Sequence, residues 1–163
     1  MITVMVAVRS AGILLYRRSA EDLEVLLGHM GGPFWTGKDD AAWSIPKGLY
    51  DDDEQPLAAA LREFTEELGV APPFEAAALQ PLGELRQPSG KRLTVWAAEG
   101  DLDPADVVPG TFTMEWPPRS GATAEFPEID RAAWWSIDDA WVKLVKGQRP
   151  FLDRLVSLLR GDA

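Results

Sequence analysis

Four glutamates and one arginine crowd the short segment 54–67 at spacings that favour a shared site. Glu63, Glu66 and Glu67 stand three and four residues apart, so a helix would bring their carboxylates onto one face. Carboxylates that lie this close raise one another's pKa unless a positive charge lies among them. A hard cation such as Mg²⁺ takes oxygen ligands and usually brings a phosphate substrate with it. The segment therefore predicts metal-assisted chemistry on a phosphate compound.

These side chains can meet only if the segment is helical, and its apolar residues predict a helix. The apolar residues repeat at spacings of four and three, which is typical of a helix with one face on the core. They are Leu57, Leu61, Phe64 and Leu68. Asp51–Asp53 supply N-cap candidates, Pro56 is tolerable in the first turn, and Gly69 fits the left-handed position that ends helices.

An acidic helix face that merely meets solvent is the alternative interpretation. It must explain seven specified positions, which chance would produce in about one chain in a million at average residue usage. Segment 48–70 instead resembles the signature of the Nudix hydrolases, and it matches every fixed position of that signature. Seven of those positions specify one residue type: Gly48, Glu54, Arg62, Glu63, Glu66, Glu67 and Gly69. The other two require an apolar residue and hold Phe64 and Val70.

Two residues depart from what many members of that family carry. Asp53 stands where many have glycine. Because Asp tolerates unusual loop dihedrals better than most residues, we expect the loop to survive. Leu49 stands where many have a polar residue, beside the expected metal site.

The resemblance implies a fold and an activity. The implied fold is α/β, with a mixed β-sheet sandwiched between α-helices. The implied activity is metal-dependent hydrolysis of a nucleoside diphosphate linked to another group, by water attacking phosphorus. Metal ions suit this chemistry because they neutralise phosphate oxygens and fix an in-line geometry.

The resemblance also implies roles for the residues of the segment. Mg²⁺, or Mn²⁺ in its place, would be held by Glu63, Glu66 and Glu67 with the carbonyl of Gly48. Glu63 is alternatively the general base, since family members differ in this role. Arg62 would brace the glutamates through Glu54, because a guanidinium fork suits a carboxylate partner.

A further metal ligand in this family often comes from a distant loop. Glu128 is our first candidate and Glu125 the second, both in the acidic stretch before Trp134. An ordinary loop acid is the alternative for either residue.

Substrate-binding candidates are basic or aromatic residues near the signature. Lys47 directly precedes it in the stretch WSIPKG, which resembles a segment of diadenosine polyphosphate hydrolases. Four further basic residues are candidates for binding phosphate: Arg86, Lys91, Arg92 and Arg119. Of these, Arg92 is included in the expected substrate-binding site. Four aromatic residues could stack on a nucleotide base: Phe34, Trp35, Trp43 and Trp116. Of these, Trp43 is included in the expected substrate-binding site. His29 is expected to be structural or solvent-facing.

Three functions stay open at this stage. The leading one is hydrolysis of dinucleoside polyphosphates or a related nucleotide. The second is removal of oxidised nucleoside triphosphates such as 8-oxo-dGTP. The third is a non-catalytic nucleotide-sensing module, although such a module would have no need of a costly acidic cluster. An acidic interaction protein that binds no metal is a more distant possibility.

Length and composition narrow the classes of protein to which the chain can belong. The 163 residues, 1–163, are expected to form a single domain, with a formal charge of −10 that repels nucleic acid. The absence of cysteine excludes disulfides and fits a reducing cytoplasm, and one histidine excludes a zinc site of His and Cys. The N-terminal stretch is too short to span a membrane and lacks the basic start of a signal peptide. Either a monomer or a homodimer is compatible with the sequence.

Hydrophobic patterning predicts an alternating order of strands and helices. Strands are expected at 2–17 with a possible break at 10–12, and at 23–27, 43–45, 79–86, 91–98, 111–116 and 134–136. A Gly-rich loop is expected at 28–42, and helices at 137–146 and 150–159 after the helix of the signature.

Overall fold

A computed structural model describes residues 8–19 and 22–161, which form nine strands and three α-helices. The strands are β1 (Arg9–Arg18), β2 (Leu23–Met30), β3 (Trp43–Ser44), β4 (Lys47–Tyr50), β5 (Gln80–Arg86), β6 (Arg92–Glu99), β7 (Thr111–Glu115), β8 (Thr123–Pro127) and β9 (Ile129–Ser136). The helices are α1 (Pro56–Leu68), α2 (Ile137–Lys143) and α3 (Pro150–Arg160). Residues 2–7 of the strand predicted at 2–17 lie outside the described residues.

Seven of these strands form one mixed sheet with helices on both faces. Its central order is β3-β2-β1-β6-β5, with β4 paired to β1 and β9 paired to β2. The β1–β6 pair is parallel and the other pairs are antiparallel. Phe64 and Leu68 of α1 are buried on one face, whereas Phe151 and Leu155 of α3 are buried on the other. The predicted mixed sheet between helices is confirmed.

The sheet opens between β1 and β2, and this opening receives the start of the signature. β1 pairs with β2 only at residues 16–18, whereas residues 9–12 of β1 pair with β4. The chain between β3 and β4 crosses this opening, where the N–H of Ile13 donates to the carbonyl of Pro46 over 3.1 Å. A β-carbon on Gly12 would lie 2.6 Å from that carbonyl oxygen, so only glycine allows so close a crossing.

A separate hairpin of β7 and β8 stands beside the sheet. Its half-buried aromatic residues pack against the loop that follows β2, with Phe112 next to Gly32. The rings of Phe34 and Trp116 meet edge to face, 5.6 Å between centroids. The turn of the hairpin contains a cis peptide bond between Trp116 and Pro117.

Several predicted elements differ from the observed ones. The N-cap of α1 is Gln55, which makes no side-chain capping bond, so the capping prediction for Asp51–Asp53 is wrong. β1 runs through 10–12 without a break, β2 extends to Met30, and α2 ends at Lys143. The short strands β4 and β8 were not predicted, and β9 has eight residues in place of three. None of the helices in the described part of the chain is long and apolar enough to span a membrane.

Candidate active site

Residues far apart in the sequence line one polar pocket beside α1, with a volume of about 310 Å³. Three carboxylates reach it, two from α1 and one from between β8 and β9. Two lysines also reach it, one from β4 and one from the turn before β6. The lining residues are Met30, Ser44, Lys47, Gly48, Leu49, Glu63, Glu67, Lys91 and Glu128. The pocket therefore places anionic and cationic side chains around one volume.

Arg62 joins three of the glutamates of the signature. Its Nε and Nη2 donate to the two carboxylate oxygens of Glu54 over 2.8 and 2.7 Å, forming a bidentate pair. Its Nη1 donates to Glu63 over 2.8 Å and to Glu66 over 3.0 Å. The hydrogen bonds from Arg62 hold the pKa of Glu54 below its usual range. The predicted bracing through Glu54 is consistent with these contacts.

Glu63 lies directly on the glycine that begins the signature. A β-carbon at Gly48 would overlap the Glu63 carboxylate, so glycine is required for this approach. Partial burial raises the pKa of Glu63, against the lowering effect of Arg62. The carboxylate of Glu63 and the backbone of Gly48, both predicted metal ligands, are thus held next to each other.

Glu67 is the buried acid of the site. Its Oε2 accepts the backbone N–H of Lys47 over 2.7 Å, which ties α1 to the start of β4. Burial raises the pKa of Glu67 to about 8, and the nearby carboxylates of Glu128 and Glu63 act in the same direction. A carboxyl group that is so costly to ionise is expected where a cation completes the site.

Glu128, rather than Glu125, is the distant acid that reaches the pocket. Partial burial and the charge of Glu63 raise the pKa of Glu128. Glu125 instead accepts the hydroxyl of Thr111 over 2.6 Å, across the β7–β8 hairpin. The structure therefore favours the first of the two candidates.

The donor chemistry of the pocket suits a hard divalent cation, because it offers carboxylate and backbone carbonyl oxygens. Its carboxylates raise one another's pKa, so an added cation would relieve their repulsion. Among the described residues, no group of three His, Cys, Asp or Glu side chains is arranged so that it could hold a metal ion. Glu63 and Glu66 are instead bonded to Arg62, and Glu67 to the N–H of Lys47. Coordination by these residues stays a prediction.

The predicted substrate-binding residues fall into two groups. Lys47 lines the pocket, as does Lys91. Arg92, the next residue, forms an exposed ion pair with Glu84 at 3.3 Å and does not line this pocket. The structure thus places Lys91 at the site where Arg92 was expected.

The prediction that Trp43 stacks on a base disagrees with its position. Its side chain is 2% exposed, packs edge to face against His29 and Trp135, and donates its indole N–H to Asp39. An indole enclosed in this way has no open face for a ligand. His29 is structural, as one alternative predicted: it is buried between Trp43 and the carboxylate of Asp130.

Comparisons with known proteins agree with this site and fold. The NUDIX domain model matches residues 6–155. A Caenorhabditis elegans Ap4A hydrolase binary complex is 23% identical, with 95% of this chain and 99% of that chain covered and a TM-score of 0.65. The NUDIX domain of Shewanella oneidensis NrtR, complexed with ADP ribose, is 17% identical, with 96% and 90% covered and a TM-score of 0.64. Comparison with curated proteins gives no match.

The family match extends over most of the chain, so the fold and the signature define one class. The chain belongs to the NUDIX domain family. It is a hydrolase of that family, acting on phosphorus-containing acid anhydrides. Enzymes of this family generally use divalent metal cations.

Arg62→Lys is expected to lower kcat by about ten- to a hundredfold, because lysine keeps the charge but cannot bridge several carboxylates as the guanidinium does. Steady-state kinetics with the preferred nucleotide would measure the loss. Arg160→Lys, an exposed arginine in the last turn of α3, is the matched control and should stay within about twofold. Full activity of Arg62→Lys would show that the fork is dispensable.

Proposed function

We propose that the chain is a Mg²⁺-dependent pyrophosphohydrolase that cleaves a phosphoanhydride bond in a dinucleoside polyphosphate or a related nucleotide. One observation carries this proposal: Lys47 and Lys91 line the same pocket as Glu63, Glu67 and Glu128. A short phosphate group needs few cationic partners. This pocket has two ammonium groups in addition to the carboxylates that would bind the metal. That arrangement suits a longer phosphate chain, whose charges extend beyond the reacting phosphorus.

The proposed reaction is a displacement at phosphorus. The oxygen of a water molecule attacks phosphorus, and the bond from that phosphorus to the bridging oxygen breaks, so its electron pair leaves with the departing phosphate group. A bound divalent cation would neutralise phosphate oxygens. Glu63 accepts the proton of the attacking water or, in the alternative role, helps to hold the cation. The ammonium groups of Lys47 and Lys91 bind the phosphate chain and orient it.

An aromatic pair near the pocket supports a nucleotide as the substrate. Phe34 is 58% exposed and lies in the loop that follows Met30, a residue of the pocket wall. Trp116 contacts Phe34 from the β7–β8 hairpin, which leads directly to Glu128. A base can stack on such a surface while its phosphates enter the pocket.

Product release from a panel of nucleotides, with Mg²⁺ and with EDTA, tests the proposal. The panel contains diadenosine polyphosphates, ADP-ribose, NADH, canonical triphosphates and 8-oxo-dGTP. We expect turnover of the diadenosine polyphosphates that EDTA abolishes. Preference for 8-oxo-dGTP would favour the removal of oxidised nucleoside triphosphates as the function. Binding of ADP-ribose without turnover of any compound would favour a nucleotide-sensing module.

Lys91→Ala is expected to raise KM for the preferred polyphosphate by about tenfold, the size of one hydrogen bond to a charged group, with a smaller change in kcat. Initial rates over a range of substrate concentrations would separate the two constants. Arg160→Ala is the matched control, because Arg160 is exposed in the last turn of α3 and does not line the pocket. An unchanged KM in Lys91→Ala would remove Lys91 from the substrate site.

A further inference from the structure

A short turn after α2, Lys146–Gln148, contacts the wall of the pocket that carries Lys47. The Gln148 side chain is 2% exposed. Its Oε1 accepts the N–H of Ile45 over 2.8 Å, and its Nε2 donates to the hydroxyl of Ser44 over 2.9 Å. Ile45 lies where the chain crosses from β3 to β4, so Gln148 supplies a hydrogen bond there that a strand partner would supply elsewhere.

The crossing that Gln148 holds leads directly into the catalytic segment. Lys47 follows Ile45 by two residues, and its N–H binds the carboxylate of Glu67 over 2.7 Å. The hydroxyl of Ser44 also donates to the carbonyl of Ile45 over 2.8 Å, which completes a closed set of hydrogen bonds. The position of the Lys47 wall is therefore fixed by Gln148 from the opposite side of the crossing.

The same turn contacts the wall that carries Lys91. The carbonyl of Gly147 accepts the side-chain N–H of Gln87 over 3.0 Å. A β-carbon at Gly147 would lie 2.6 Å from the Gln87 side-chain oxygen and 2.8 Å from Cδ of Pro88, so the two segments are in direct contact. The N–H of Gln87 donates to the carbonyl of Lys91 over 2.7 Å and closes the turn between β5 and β6. The location of Lys91 thus depends on Gly147.

We propose that Gly147 and Gln148 are positioning residues that set the separation of Lys47 and Lys91, and thereby the length of the phosphate chain that the pocket accepts. Two adjacent residues of one turn hold the two cationic walls, so a shift of either wall changes the gap between the ammonium groups. Each added phosphate lengthens the substrate by one phosphate unit. The distance between the two ammonium groups therefore selects the length of phosphate chain that can contact both lysines. This inference rests on the proposed function.

The test compares dinucleoside polyphosphates that contain three, four and five phosphate groups. Gly147→Ala should push the Pro88 turn away, and Gln87→Leu should release it. Each variant should change the ratio of kcat/KM between the preferred and the next chain length by at least about fivefold, the size of one hydrogen bond between uncharged groups. Gln80→Leu, an exposed glutamine at the start of β5, is the matched control and should keep the wild-type ratio.

Gln148→Met examines the other wall, because methionine fills a similar volume without either hydrogen bond. Its ratio should also change, and a melting curve would show whether the variant is folded. A merely structural role would lower the melting temperature and reduce kcat/KM equally for all three lengths, and that result would overturn the inference while the proposed function stands. A wild-type protein that cleaves none of the three compounds would overturn the proposed function and this inference together.

Discussion

Glu67→Gln is expected to lower kcat at least about a hundredfold, because metal positioning is worth several kcal/mol in such sites, and to make the metal-free protein more stable at neutral pH. Glutamine keeps an oxygen that can accept the N–H of Lys47, so the link between α1 and β4 survives. The charge that burial penalises is removed. Activity and stability should therefore change in opposite directions.

The direction of the stability change follows from the pKa of Glu67. Burial raises this pKa from 4.5 to about 8 in the folded protein. The contribution of Glu67 to stability is therefore fully present below pH 4.5 and is lost progressively as the pH rises from 4.5 through 8. By linkage the loss at pH 7 is on the order of 3 kcal/mol. Glu67→Gln escapes this loss, so its advantage over the wild type should grow from pH 5 to pH 8.

Kinetics in Mg²⁺ and chemical denaturation in EDTA at several pH values would measure the two effects. Glu66→Gln is an informative comparison, since Glu66 is exposed: it should lose turnover without becoming more stable. Glu99→Gln, which removes one partner of an exposed ion pair with Arg18, should change neither quantity appreciably. Wild-type turnover in Glu67→Gln would contradict the assigned metal site.

The sequence was sufficient to predict the part of the site whose residues are close together along the chain. Spacings of three and four residues place Glu63, Glu66 and Glu67 on one helix, and Gly69 does end that helix in the left-handed conformation with φ 65°. The partners of these acids come from elsewhere. The N–H that binds Glu67 belongs to Lys47, 20 residues away, and Gln148 contacts Ile45 across 103 residues. Such contacts depend on strand pairing, which one sequence does not specify.

The aromatic and basic candidates for substrate binding show a second limit of prediction from the sequence. A tryptophan beside an apolar run suits a core and a stacking surface equally well, so Trp43 and Trp116 could not be separated by residue type. Their neighbours separate them, because Trp43 lies among the rings of the buried core whereas Trp116 stands on the outer hairpin. Lys91 lies in the turn between β5 and β6, and Arg92 is the first residue of β6. The conformation of that turn decides which of the two adjacent basic residues meets the pocket, and one sequence does not specify it.

Mg²⁺ should raise the melting temperature of the wild-type protein, and the increase should be larger at pH 8 than at pH 5. A cation that binds only the folded state adds about 2.7 kcal/mol at a concentration of 100 times its Kd. Glu63, Glu67 and Glu128 all have raised pKa values because of burial, so at low pH protons compete with the cation for the same oxygens. At pH 8 more of these carboxylates are ionised, and a bound cation then offsets their repulsion.

Thermal unfolding in MgCl₂ and in EDTA, at matched ionic strength set with NaCl, would measure this increase. Glu67→Gln should show a smaller increase at pH 8, because it starts without the buried charge and offers one fewer anionic ligand. An increase that NaCl reproduces, or that has the same size at both pH values, would point to general screening of a chain with a net charge of −10. An increase that depends on Mg²⁺, on high pH and on Glu67 together can come only from a cation held by the pocket carboxylates, and an acidic interaction protein without a metal site would show none.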